Sequence, residues 1–140
     1  MTDFAHIIEV SPRDGLQNEP VFVATGDKLE LVARLIDSGL HCIEATSFVS
    51  PKWVPQMADA DAVCDGLPSD VNCRFPVLVP NLQGYMRARA CGVKEVAVFT
   101  AASETFSHKK AVMKTPTWFD PALKYPPFTG KLKLLKWLVG

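Results

Sequence analysis

The stretch FPVLVPNLQGYMRARACGVKEVAVF, Phe75–Phe99, decides the fold. Phe75–Val79 (FPVLV) is an apolar run of strand length. Pro80 ends it, Asn81 can cap a helix running through Arg89, Gly92 stops that helix, and Lys94–Phe99 (KEVAVF) is a second apolar run. Neither run alternates apolar with polar residues, as expected of strands covered on both faces. A strand, a helix and a strand joined by such short connections make a parallel βαβ unit.

The same rhythm extends toward the amino terminus. His6–Val10 (HIIEV) reads as a first strand, closed by the Ser11-Pro12 turn signal. A helix follows, with Thr25 as its cap, Asp27 and Glu30 in its first turns, Leu29, Val32, Ala33 and Ile36 along one face, and Gly39 as its stop. His41–Phe48 (HCIEATSF) is a second strand, and a helix from Gln56 to Asp65 follows the loop framed by Pro51 and Pro55. The expected fold class is therefore α/β, built of parallel (β/α) units.

In parallel α/β folds the loops after the strands gather at one face and carry the functional groups, whether the sheet is open or closed. The loop after strand one is SPRDGLQNEP, with Arg13, Asp14, Gln17, Asn18 and Glu19 around Gly15. Asp14 can ligate a hard divalent cation, and the guanidinium fork of Arg13 can hold a carboxylate or a developing oxyanion. Glu44 lies inside an apolar strand, where a carboxylate must pair, bind a metal or shift its pKa; pairing with Arg13 would satisfy both. Ser47, Asn81 and Ser103 put polar groups at the ends of strands two, three and four. Four successive strand ends with polar groups argue for one shared site.

Composition narrows the partner. Of 140 residues 48% are hydrophobic, and 15 basic residues balance 15 acidic ones. No basic stripe with interleaved aromatics marks a nucleic-acid module, and Gly15 stands without a G-x-G-x-x-G or G-K-[ST] neighbourhood for a nucleotide. No stretch reaches the ~20 apolar residues of a membrane span, and Met1–Glu9 lacks the features of a secretory signal, so a cytoplasmic protein acting on a small molecule is expected. Cys42, Cys64, Cys73 and Cys91 lack C-x-x-C spacing and read as reduced, mostly buried thiols. His6 and His41, at strand starts, read as rim residues.

VSPRDGLQNEP, IEATSFVSPKWVPQMAD, PVLVPNLQGY and GVKEVAVFTAASETFSHKK, in this order and spacing, closely resemble the amino-terminal half of the 3-hydroxy-3-methylglutaryl-CoA lyase family. The resemblance implies about the first half of a (β/α)8 barrel. It further implies a Mg2+ or Mn2+ site and retro-Claisen cleavage of 3-hydroxy-3-methylglutaryl-CoA to acetyl-CoA and acetoacetate, as in leucine breakdown and ketone-body formation. Carried over, Asp14 is the metal ligand and Arg13 the arginine at the thioester carbonyl, with Glu44 and Gln17 in the same pocket. The expected catalytic residues are Arg13 and Glu44. Those expected to contact the acyl-CoA thioester are Arg13, Gln17, Ser47, Asn81 and Ser103.

The family's H-x-H ligand pair, its ligating asparagine and its G-G-C thiol segment belong to the other half of its sequence. His6, His41 and His108 are isolated here, and no cysteine lies in a glycine-rich loop. Residues 1–110 are thus expected to be the lyase half-barrel, and 111–140 a divergent tail, with Pro116, Pro121, Pro126 and Pro127 barring a long helix. A frameshifted or misassembled end is the expected origin of that tail. The closing KLKLLKWLVG is a weak candidate for a cationic membrane-surface helix. A truncated lyase, inactive alone, is the leading expectation. The alternatives are another 3-hydroxyacyl-CoA lyase of the superfamily, or a non-catalytic half-barrel that self-associates through its open sheet edges.

Overall fold

A computed structural model describes residues 5–101 and 133–139. Its regular elements are α1 (Thr25–Asp37), β1 (Thr46–Ser47), α2 (Ala60–Gly66), β2 (Val77–Leu78), α3 (Leu82–Ala90), β3 (Glu95–Ala101) and β4 (Lys133–Val139). The four strands form one sheet in the order β1-β2-β3-β4, parallel at every pairing. Thr46 faces Val77, Val77 faces Val96, and β3 runs beside β4 from Glu95 opposite Lys133 to Ala101 opposite Val139.

The residues around His6–Val10 add to the sheet by a single parallel bridge, Glu9 opposite Ile43, with the Glu9 N–H donating to the Cys42 carbonyl (2.9 Å) and the Glu44 N–H to the Glu9 carbonyl (2.7 Å). The strand is this short because Pro12 opens a wide helical turn, Ser11–Gly15, immediately after Val10. The expected strands at 41–48 and 75–79 are likewise longer as runs of hydrogen bonds than as regular ladder. The N–H groups of Ile43, Ala45 and Phe48 donate to the carbonyls of Arg74, Pro76 and Leu78, while Pro76, having no N–H, breaks the reciprocal ladder. Phe48, Val77, Val79, Val96 and Val98 meet Ala60, Tyr85 and Ala88 of the covering helices to form the core.

Three local expectations need correction. Thr25 does not cap α1: Ala24 holds that position, and the Thr25 hydroxyl donates to Asp59 Oδ2 at 2.7 Å. The buried face of α1 carries Lys28 and Val32, with Leu29 and Ile36 half-buried, whereas Ala33 is exposed; the stripe is rotated because Lys28 has partners that allow it to be buried. KLKLLKWLVG, weighed as a cationic helix, supplies β4, a seven-residue stretch with lysines at 133 and 136 being too short for its periodicity to separate the two.

Other signals hold. Asn81 caps α3 through its side chain, and Gly39 and Gly92 follow the ends of α1 and α3 with φ of 93° and 72°, a conformation that costs glycine least. His6 and His41 are exposed, and the His41 ring nitrogen Nδ1 lies 3.1 Å from the Asn72 carbonyl. None of the four cysteines forms a disulfide, and Cys42 is buried while Cys64, Cys73 and Cys91 are half-buried.

Candidate active site

The site begins with the turn Ser11–Gly15 at the carboxyl end of the first extended segment. The N–H groups of Arg13 and Asp14 both donate to the Val10 carbonyl, at 3.1 and 2.7 Å. The Glu9 carboxylate accepts from the Ser11 N–H at 2.7 Å, and that bond holds its pKa below the usual range. With the turn fixed at its root, Arg13 and Asp14 project from a rigid base.

Glu44 has no solvent exposure, and its Oε1 accepts from Arg13 Nε. Burial raises the Glu44 pKa and Asp14 adds to the rise, while the Arg13 guanidinium pulls the other way without cancelling it. The other Arg13 branch donates to Asp14 Oδ1 at 2.6 Å, and Gln17 Nε2 donates to the same oxygen at 3.0 Å. The guanidinium is thus held from two sides, between a buried carboxylate and one facing solvent. Glu44 Oε2 and the Ser47 hydroxyl are buried with no hydrogen-bond partner among the described residues.

These groups meet a cavity of about 550 Å³. Arg13, Asp14, Gln17 and Ser47 give it its polar side; Ile8, Val10, Val49, Val54, Leu78 and Pro80 give it its apolar side. Of the residues expected at the site, Glu44 stands behind Arg13 instead of lining the cavity. Asn81 is not among the lining residues, its side-chain oxygen accepting the Gly84 N–H at 2.8 Å. Ser103 lies outside the described residues, as do His108 and the greater part of the expected tail.

Asp14, with a side chain 54% exposed at the cavity, fits a Mg2+ or Mn2+ ion as one hard oxygen ligand. Among the described residues no group of three or more His, Cys, Asp or Glu side chains could hold a metal, so Asp14 by itself would leave most of an ion's coordination to other groups.

Sequence reasoning missed a second polar cluster beside the first. Lys28 is 2% exposed, yet its ammonium donates to the Gln56 carbonyl and to Asp59 Oδ1 (2.6 Å) and lies 4.5 Å from the centre of the Phe22 ring. The Gln56 side chain in turn grips the loop 19–23. A lysine in register with Val32 and Leu35 on an apolar helix face was the available signal.

The HMGL-like family model matches residues 5–124. The mitochondrial hydroxymethylglutaryl-CoA lyase of Arabidopsis thaliana is 58% identical over 104 residues, covering 74% of this chain and 22% of the relative. The cytoplasmic 3-hydroxy-3-methylglutaryl-CoA lyase of Homo sapiens is 54% identical over 109 residues, covering 78% and 30%. The crystal structure of hydroxymethylglutaryl-CoA lyase from Pseudomonas aeruginosa superposes with a TM-score of 0.68 at 52% identity, over 72% of this chain and 34% of that one. An HMG-CoA lyase from Acinetobacter baumannii, in complex with coenzyme A and 3-methylmalate, superposes at 0.67 with 41% identity, over 75% and 35%. The parallel sheet with its helices is thus part of the barrel of these lyases. The chain spans between about a fifth and about a third of the length of these relatives. By the reach of the model match and the level of identity, this chain belongs to the HMGL-like family.

Proposed function

We propose that this chain forms the wall of a hydroxymethylglutaryl-CoA lyase active site that binds the thioester end of the substrate. The observation that supports this reading most strongly is Arg13, fixed by the buried Glu44 and presented beside Asp14 at a cavity with one polar and one apolar side. In the reaction proposed, the tertiary hydroxyl of 3-hydroxy-3-methylglutaryl-CoA loses its proton and becomes the ketone of acetoacetate. The carbon–carbon bond beside it breaks, and its electron pair moves into the thioester as an enolate, which takes up a proton to give acetyl-CoA.

Negative charge develops on the thioester oxygen during that cleavage, and a cation already in place stabilises it without reorganising. Arg13 is such a cation. Glu44 acts on the reaction through Arg13, holding the fork in one orientation, and Gln17 restrains Asp14. A Mg2+ or Mn2+ ion held in part by Asp14 would supply charge that lowers the pKa of the tertiary hydroxyl. Ser47 offers the substrate a hydroxyl that has no partner among the described residues. The relative from Acinetobacter baumannii, solved with coenzyme A, supports an acyl-CoA ligand for this cavity. The leucine-breakdown role follows if the substrate assignment holds.

A segment exchange tests the proposal. Residues 5–101 of this chain replace the matching segment of the Pseudomonas aeruginosa enzyme, and acetoacetate release is measured with Mg2+. The chimera is expected to turn over, and Arg13→Met within it to lose at least ~100-fold in kcat, as for removal of an oxyanion donor. The 140-residue chain alone is expected to release none. A folded chimera inert toward 3-hydroxy-3-methylglutaryl-CoA would overturn the assignment.

A further inference from the structure

We propose that Gln56 is a positioning residue for the site, setting the loop that carries Gln17 and thereby the orientation of Asp14 and Arg13. The inference rests on the lyase reading for the reaction it affects, and on hydrogen bonds of its own for the mechanism.

Gln56 is 4% exposed and directs both amide N–H donors and its carbonyl oxygen at one loop. Its Oε1 accepts the Val23 N–H at 3.1 Å, and its Nε2 donates to the Glu19 carbonyl at 3.0 Å and to the Val21 carbonyl. One donor and two carbonyls in the loop leave only one way round for the amide. Glu19 closes the turn that begins at Leu16, its N–H donating to the Leu16 carbonyl at 3.0 Å, and Gln17 within that turn holds Asp14 Oδ1. A displacement at Glu19 therefore reaches Asp14 through one turn of chain and one side chain.

The clamp is itself anchored. The backbone carbonyl of Gln56 accepts from Lys28 Nζ, and Lys28 pairs with Asp59, whose other oxygen accepts from the Thr25 hydroxyl at 2.7 Å. The start of α1 and the turn Pro55–Met57 are thus tied by a buried charge pair and cannot shift independently. Catalytic groups held within a fraction of an ångström keep their rate advantage, and a misplacement of about 1 Å can cost ~100-fold.

The test uses Gln56→Met, which keeps the length and removes all three side-chain bonds, and Gln56→Glu, which keeps an acceptor for Val23 and removes the donors to Glu19 and Val21. Amide hydrogen exchange is followed in the 140-residue chain, and kcat and KM are measured in the chimera well below its melting temperature. In Gln56→Met the Val23 amide is expected to exchange at least ~10-fold faster, as for loss of a buried hydrogen bond. kcat is expected to fall by about 10- to 100-fold, with KM within about threefold. In Gln56→Glu, Val23 exchange changes less while kcat still falls, so this variant carries the test should Gln56→Met fail to melt cooperatively. Accelerated exchange with unchanged kcat would reduce Gln56 to a structural residue, and unchanged exchange would remove the clamp. An inert parent chimera with accelerated exchange in the variant would instead sink the lyase reading, and with it any role in that reaction, while the loop clamp stood as architecture.

Discussion

A carboxyl group with no exposure is a cost to the fold unless its charge is matched, and at Glu44 the match is incomplete. Burial raises its pKa above 4.5 despite Arg13, so the folded chain holds that proton more tightly than the unfolded one. The stabilising contribution of protonated Glu44 is fully present below pH 4.5 and is lost as pH rises through the raised folded value. Glu44→Gln removes this loss. Relative to the parent, the variant is expected to gain stability across that rise, a trend that urea unfolding at several pH values would show; a difference that is flat or falls with pH would contradict it. At the thiols, burial, helped for Cys91 by a hydrogen bond to Asp61, drives the pKa of Cys64 up to about 12 and that of Cys91 up to about 11. Both are expected to alkylate at pH 7 far more slowly than a free thiol, with Cys91 faster in Asp61→Asn; rapid modification of either in the folded chain would refute the assigned environment. The Arg13–Glu44 pair was legible in the sequence because a glutamate in an apolar strand demands a cation. Lys28 was not, because a lysine on a helix is ordinarily solvated and its partners lie about thirty residues away.

The helix α3 shows how an element is tied to the sheet at one end. Asn81 caps it, and Asn81→Ala is expected to cost about 1 kcal/mol in chemical unfolding. Gly84, one turn in, sits so close to β1 that a Cβ there would lie 2.6 Å from the Phe48 carbonyl oxygen, a backbone atom that cannot swing aside. Gly84→Ala is expected to cost about 1–3 kcal/mol, with the denaturant dependence unchanged; a neutral effect would show that α3 can lift off the sheet. The two sites share a turn, so their effects are not expected to add. Strands and helices of this region were legible because the apolar runs are bounded by proline, asparagine and glycine. Their ladder lengths were not, since Pro76 looks like a strand residue in the sequence while removing a donor from the sheet.

On the scale of the molecule, the parallel class and the gathering of Arg13, Asp14, Gln17 and Ser47 at one end of the sheet follow from alternating strand and helix signals. The seven-residue pairing of β3 with β4 does not, because nothing local joins Glu95 to Lys133. The boundary drawn at residue 110 remains a proposal, and the family match itself runs to residue 124. A parallel sheet leaves donors and acceptors at its margins, and the segment around Glu9 is bonded along its Cys42–Glu44 flank. The 140-residue chain by itself is therefore expected to self-associate at micromolar concentration in sedimentation velocity, and a sharp monomer peak there would count against open margins.

The contacts that shape the cavity are remote in the chain. Gln56 lies 37 positions from Glu19 and 33 from Val23, and Glu44 lies 31 from Arg13. Closing such spans costs entropy before any bond repays it, so the arginine loop is expected to take its final shape only once the segment through Asp59 has folded back. During synthesis the loop around Arg13 leaves the ribosome before Glu44 and Gln56, the residues that hold it, and in that interval its charges are freely hydrated.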